Sequence, residues 1–171
     1  MNKNTTIAIV VVVAVLAIGG ILWGVLGREA AEENIESSIE RATNGAAEVD
    51  LDDNSVTFNT NAGTFQAGEN VSLPDDFPSD IHVVDGTITS ATSVTEGQSH
   101  TVSIQTNKSM DEVKAEYDSK LANDGWSETL SMQLPSGYSI GAEKGNRTVS
   151  ISIGEDSGQT IVVIGTSTYT E

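Results

Sequence analysis

Twenty-five acidic side chains against 8 basic ones in 171 residues give a formal net charge of −17, and cysteine is absent. The charge excludes nucleic acid as a partner, because that affinity comes from Lys and Arg displacing counterions from phosphates. The missing thiols exclude disulfide staples, thiolate metal sites and cysteine nucleophiles, and the length allows a single ordinary domain beside any N-terminal segment.

Residues 7–27 read IAIVVVVAVLAIGGILWGVLG without one charge. At about 1.5 Å rise per residue, a helix of this length matches a hydrocarbon core of about 30 Å. The run predicts a membrane contact over 7–27 and makes 1–28 a cytoplasmic tail and transmembrane anchor. It is longer than the roughly 7–15-residue core of a cleaved signal peptide. Lys3 on one side against Arg28 and Arg41 on the other gives no charge bias for orientation. A short tail is easily left inside, and the Ser/Thr/Gly-rich remainder has a secreted composition. The expected location is therefore the plasma membrane, single-pass, with the C-terminal domain outside the cytoplasm.

Residues 29–45 place Ala31, Ile35, Ile39 and Ala42 at helical spacing before the stop signal Asn44-Gly45, which predicts a juxtamembrane helix with a narrow apolar stripe. Over 46–70, Val49 and Leu51, Val56 and Phe58, then Phe65 alternate with polar residues around two turn signals, the pattern of a small β-meander. Pro74 and Pro78 mark an extended connector, with Phe77 between them as an apolar plug.

The expected α+β domain occupies 71–171. Ile88, Val94, Val102 and Ile104 at even positions around Glu96-Gly97-Gln98 predict a hairpin. Ser109 and Glu112 form a capping pair for a helix with Met110, Val113, Tyr117 and Leu121 on one face, and Trp126 follows its stop signal. Four strands come next, carried by Leu130, Met132 and Leu134; by Tyr138, Ile140 and Ala142; by Val149, Ile151 and Ile153; and by 161–164. The fold class that results is α+β: an N-terminal transmembrane helix, then a mainly antiparallel β-sheet domain with one covering helix.

Chemistry is sparsely marked. Asp80, His82 and Asp85 form the one local cluster of metal-ligand types, and His100 could approach across a sheet, but two histidines 18 positions apart carry no zinc signature. Asp50, Asp52, Asp53 and Asn54 imitate the start of a calcium loop without its glycine or closing glutamate. Ser99 beside His100 lacks a nucleophile elbow or an oxyanion hole, and no Gly-rich phosphate loop is present. The reading is of no enzyme, no cofactor and no metal. In its place stands an acidic interaction domain with an envelope or surface protein as partner, with cation binding by 48–85 as the alternative and Asp80, His82 and His100 as the residues to test for a hydrolase.

The stretch LPDDFPSD at 73–80, followed by Asp111, Val113, Tyr117, Leu121, Gly125 and Trp126, resembles a pattern of small prokaryotic lipoproteins and membrane-anchored extracytoplasmic domains. These have an LPxDFP lead-in and a DxVxxxY…LxxxGW helix. The resemblance covers about 73–168, implies a β-rich domain with one helix, and brings no catalytic residue. Relatives often carry a lipid-modified Cys that this chain lacks.

Overall fold

The alternation that begins at Val49 does become strands, and they join into one sheet. The structure, a computed structural model, describes residues 47–52, 54–95 and 98–169. In chain order the elements are β1 (Ala47–Asp52), β2 (Ser55–Thr60), β3 (Gly63–Gly68), β4 (Thr87–Val94), β5 (Ser99–Thr106), α1 (Met110–Asn123), β6 (Ser127–Leu134), β7 (Gly137–Lys144), β8 (Arg147–Asp156) and β9 (Gln159–Thr168). All nine strands form an antiparallel sheet in the order β1-β2-β3-β4-β5-β9-β8-β7-β6. The 46–70 meander is thus the flank of the same sheet that continues through 71–171.

This corrects the expected fold class. The protein is mostly a nine-stranded antiparallel sheet with one helix. Among the described residues no helix is long and apolar enough to cross a membrane, so the N-terminal transmembrane helix of the expected fold class is unsupported. The anchor expected at 7–27 and the helix expected at 29–45 lie outside the described residues. An uncharged run matches a hydrocarbon core only if it is helical over its whole length, and hydropathy alone does not supply that.

α1 starts with the capping box read from the sequence. Ser109 accepts from the Glu112 amide at 3.3 Å, and the Glu112 carboxylate accepts from the Ser109 amide at 2.9 Å. Val113, Tyr117 and Leu121 are buried against the sheet, and Trp126 folds back beside them. They meet Val102 and Ile104 of β5, Ile140 of β7, Ile151 and Ile153 of β8, and Val162 and Ile164 of β9, while Phe77, Ile81 and Val84 of the connector close the same layer. The tight β6–β7 turn needs Gly137, with φ at 148°; an added Cβ would lie 1.8 Å from the Ile153 carbonyl oxygen.

The register shows that the sheet changes its apolar side. Partners across an antiparallel pair point to the same face. Val49, Phe58 and Phe65 pair in line with Thr92 and Thr101, whereas Gln66 pairs with Ala91 and Ala91 with the core residue Val102. The second cluster, Ala47, Val49, Val56 and Phe58, therefore lies on the face opposite α1. The face bearing α1 is the front, and the other is the back.

Two β-bulges contribute to this. In β4 the register slips between Ile88 and Ser90, so Ile88 pairs with Ile104 on the front while Val94 pairs with Ser99 on the back. In β6 it slips between Glu128 and Leu130. Plain alternation from Trp126 would carry Leu130, Met132 and Leu134 to the front. The extra residue Thr129 turns them to the back.

Candidate functional site

The residues marked by the sequence are placed apart. Asp80 sits in the connector and is bound at the far end of the β7–β8 hairpin, where Arg147 donates to its two carboxylate oxygens at 2.7 and 2.6 Å and Lys144 donates at 2.8 Å. The Arg147 guanidinium, above all, and then Lys144 hold the Asp80 carboxyl far below the usual range, against the opposing effect of burial. Both cations also lie over the Trp126 ring, 5.2 Å for Arg147 and 5.8 Å for Lys144, and the indole N–H points to the Asp80 carbonyl at 3.4 Å. Asp80 is thus a clamp between connector, hairpin and helix end.

His82 belongs to a different network. Its Nε2 is 2.6 Å from the Glu116 carboxylate, whose other oxygen accepts from Lys108 at 2.6 Å, and its ring meets Tyr117 edge-on at 5.6 Å. Burial raises the Glu116 carboxyl, but the Lys108 and His82 bonds outweigh it and leave the group below its ordinary range. Burial drives the Tyr117 hydroxyl strongly upward.

His100 is in neither network. It is 5% exposed, packs edge-on against Phe77 at 5.8 Å, and approaches the Asp76 carboxylate at 3.2 Å. That contact lowers Asp76, opposed by slight burial and helped by the Ser93 hydroxyl at 3.0 Å. Asp85 is exposed, 3.9 Å from Lys108. Among the described residues no group of three or more His, Asp or Glu could hold a metal ion.

The acidic turn is partly closed by its own bonds. Asn54 donates to Glu69 at 2.8 Å beside an open cleft of about 710 Å³ lined by Leu51, Val56, Gln66 and Val71 among others. Asp53 lies outside the described residues.

The surface with the clearest unmet apolar character is carried by the first of the four strands read after the helix. Leu130, Met132 and Leu134 are 43, 47 and 42% exposed on the edge strand β6. Three cross-strand rows run from them over the back: Leu130–Gly141–Ser150–Gly165, Met132–Ser139–Ser152–Val163, and Leu134–Gly137–Gly154–Ile161. None of these residues is charged; Glu143 and Asp156 stand at the two ends. The other edge, β1, presents Glu48 and Asp50. The signal that could have located the patch is the run of small residues that alternates with Ile140, Ile151 and Ile164, once the phase of β6 is known.

A family model described as START domain-like matches residues 88–159. Over that stretch the chain is similar to START domain-like proteins. It takes in β5, α1, β6, β7 and β8, with nearly all of β4, and so contains the bulged edge strand. Neither the curated proteins nor the solved structures contain a match.

Proposed function

We propose that this domain is a non-enzymatic binding module that takes a protein partner on the open edge of β6 and the uncharged back face beside it. The observation that carries the reading is the exposure of Leu130, Met132 and Leu134 on a strand that, among the described residues, is paired on one side only, in a chain otherwise crowded with acids. An open strand edge offers a ladder of backbone donors and acceptors to a partner's strand, and alternate side chains beside it supply apolar contact. A free edge of this kind is normally blunted by charge, as at β1. β6 carries a single charge, Glu128.

START domain-like proteins are typically ligand-binding, which supports a binding role in general terms. The space under α1 is filled by Val113, Tyr117, Leu121 and Trp126 against the sheet, so the contact is taken on the outer surface. Asp80, His82 and His100 each serve a separate packing or ionic network, which supports a non-catalytic role. The uncharged stretch 7–27 and the resemblance to membrane-anchored prokaryotic domains support work at the plasma membrane, outside the cytoplasm, beside an envelope or surface protein.

The test is crosslinking in intact cells with a photoreactive residue at Ser131, compared with the same probe in a Leu130→Ser, Met132→Ser, Leu134→Ser background. One protein adduct of reproducible mass, lost in the triple variant while its melting temperature holds, is the expected result. An adduct pattern unchanged by the three substitutions, or no adduct, refutes the reading.

A further inference from the structure

Three acceptor triplets for N-linked sugar fall within the described residues: Asn70-Val71-Ser72, Asn107-Lys108-Ser109 and Asn146-Arg147-Thr148. The motif needs an asparagine amide free to react and a hydroxyl two positions on that helps to orient it, both on a surface loop. All three asparagines are exposed, and tertiary structure separates them. The Asn107 side-chain oxygen accepts from Gln159 at 3.1 Å, and the Ser109 hydroxyl is held in the capping box, donating to the Glu112 carboxylate at 2.7 Å. Asn146 donates from Nδ2 to the Tyr169 carbonyl at 3.1 Å, and the Thr148 hydroxyl shares a 2.8 Å bond with Ser167. Thr148 itself is paired on both sides, with Glu143 of β7 and Ser167 of β9. Either of these sites must break native bonds before a transferase can take it up.

Asn70 is placed differently. It follows β3 in a turn with φ at 60°, a left-handed conformation that asparagine tolerates better than most residues. Among the described residues neither the Asn70 amide nor the Ser72 hydroxyl has a hydrogen-bond partner, and 70–73 make no backbone bond to the sheet. Both residues are exposed and line the open cleft beside Leu51 and Val56, where a second protein can reach them. We propose that Asn70 is the single N-glycosylation acceptor of the domain, taking its sugar from a lipid phosphate-linked oligosaccharide. In the transfer, Nδ2 bonds to the sugar C1 as the C1–O bond to phosphate breaks. The electron pair leaves with the phosphate, one Nδ2 proton goes to a base of the transferase, and nothing is oxidised or reduced. The inference rests on the proposed placement of the domain outside the cytoplasm. A fourth triplet, Asn4-Thr5-Thr6, precedes 7–27 and falls on the other side in that orientation. A glycan on Asn70 is attached clear of the β6 edge, because β3 and β6 are six strand spacings apart, roughly 29 Å.

The test is peptide mapping by mass spectrometry of the full chain purified from its own cells. Location is read separately, by labelling exposed Lys120 with a membrane-impermeant amine reagent on intact cells. The expected result is Lys120 labelled and a glycan on the Asn70 peptide alone. That glycan is lost completely in Ser72→Ala, with the circular dichroism of the fold retained, and kept in Ser72→Thr. Lys120 labelled with Asn70 bare, or with a glycan on Asn107 or Asn146, overturns the proposal and leaves the placement standing. Lys120 protected with Asn70 bare overturns both.

Discussion

Asp80 shows what a single side chain contributes here. The sequence marks it as an acid near two histidines, but its partners Lys144 and Arg147 lie 64 and 67 positions away, a separation that no local pattern encodes. The bidentate geometry makes this pair stronger than an ordinary surface contact, although about a third of each side chain remains exposed and water screens the charges. Asp80→Asn should cost about 1–2 kcal/mol at neutral pH, measurable by urea denaturation. Because its folded pKa lies below the unfolded value of 3.8, the carboxylate stabilises fully above about pH 5 and progressively less as pH falls through and below the unfolded value. The gap between wild type and Asp80→Asn should therefore narrow progressively as pH falls below about 5. A gap that stays constant over this range would mean that the Arg147 pair adds nothing specific to the ionised form.

Elements differ in how far their own sequence specifies them. α1 is specified locally: cap, apolar face and stop signal all lie within or next to its 14 residues. Ser109→Ala removes one bond of the capping box and should lower stability by about 1 kcal/mol. β6 has a legible strand pattern and an illegible orientation, since Thr129 reverses the phase set by Trp126. The consequence is measurable in stability. Ile151→Ala, beneath α1 at 1% exposure, should cost about 3–4 kcal/mol. Each of Leu130→Ser, Met132→Ser and Leu134→Ser should cost less than about 0.5–1 kcal/mol, as surface changes do. Equal losses in both sets would place the β6 row in a folded interface of the free protein.

At the scale of the molecule, one sheet serves two apolar layers on opposite faces, with the change falling at β3 and β4. Phe58→Ala should accelerate amide exchange in β1–β3 well before β5, β9 and β8 respond, because within the described sheet the two regions meet at the β3–β4 pairing. Simultaneous loss of protection everywhere would show a single cooperative unit. The net charge of −17 also acts on the whole. Self-repulsion falls as salt shortens the Debye length from about 30 Å at 0.01 M to about 3 Å at 1 M, so the melting temperature should rise over that range of NaCl.

The sequence by itself determined the local elements: the positions of the strands, the capped helix with Val113, Tyr117 and Leu121 inward, and the strongly acidic composition. Each follows from side-chain period, turn chemistry or charge count within a short window. Tertiary structure decided which side of the sheet each strand buries, where Asp80, His82 and His100 find their separate partners, and that Leu130, Met132 and Leu134 face outward. A one-residue bulge inverts a whole apolar row without altering its alternation, and a partner 67 positions distant is chosen by the order of strands, which hydrophobic period does not encode.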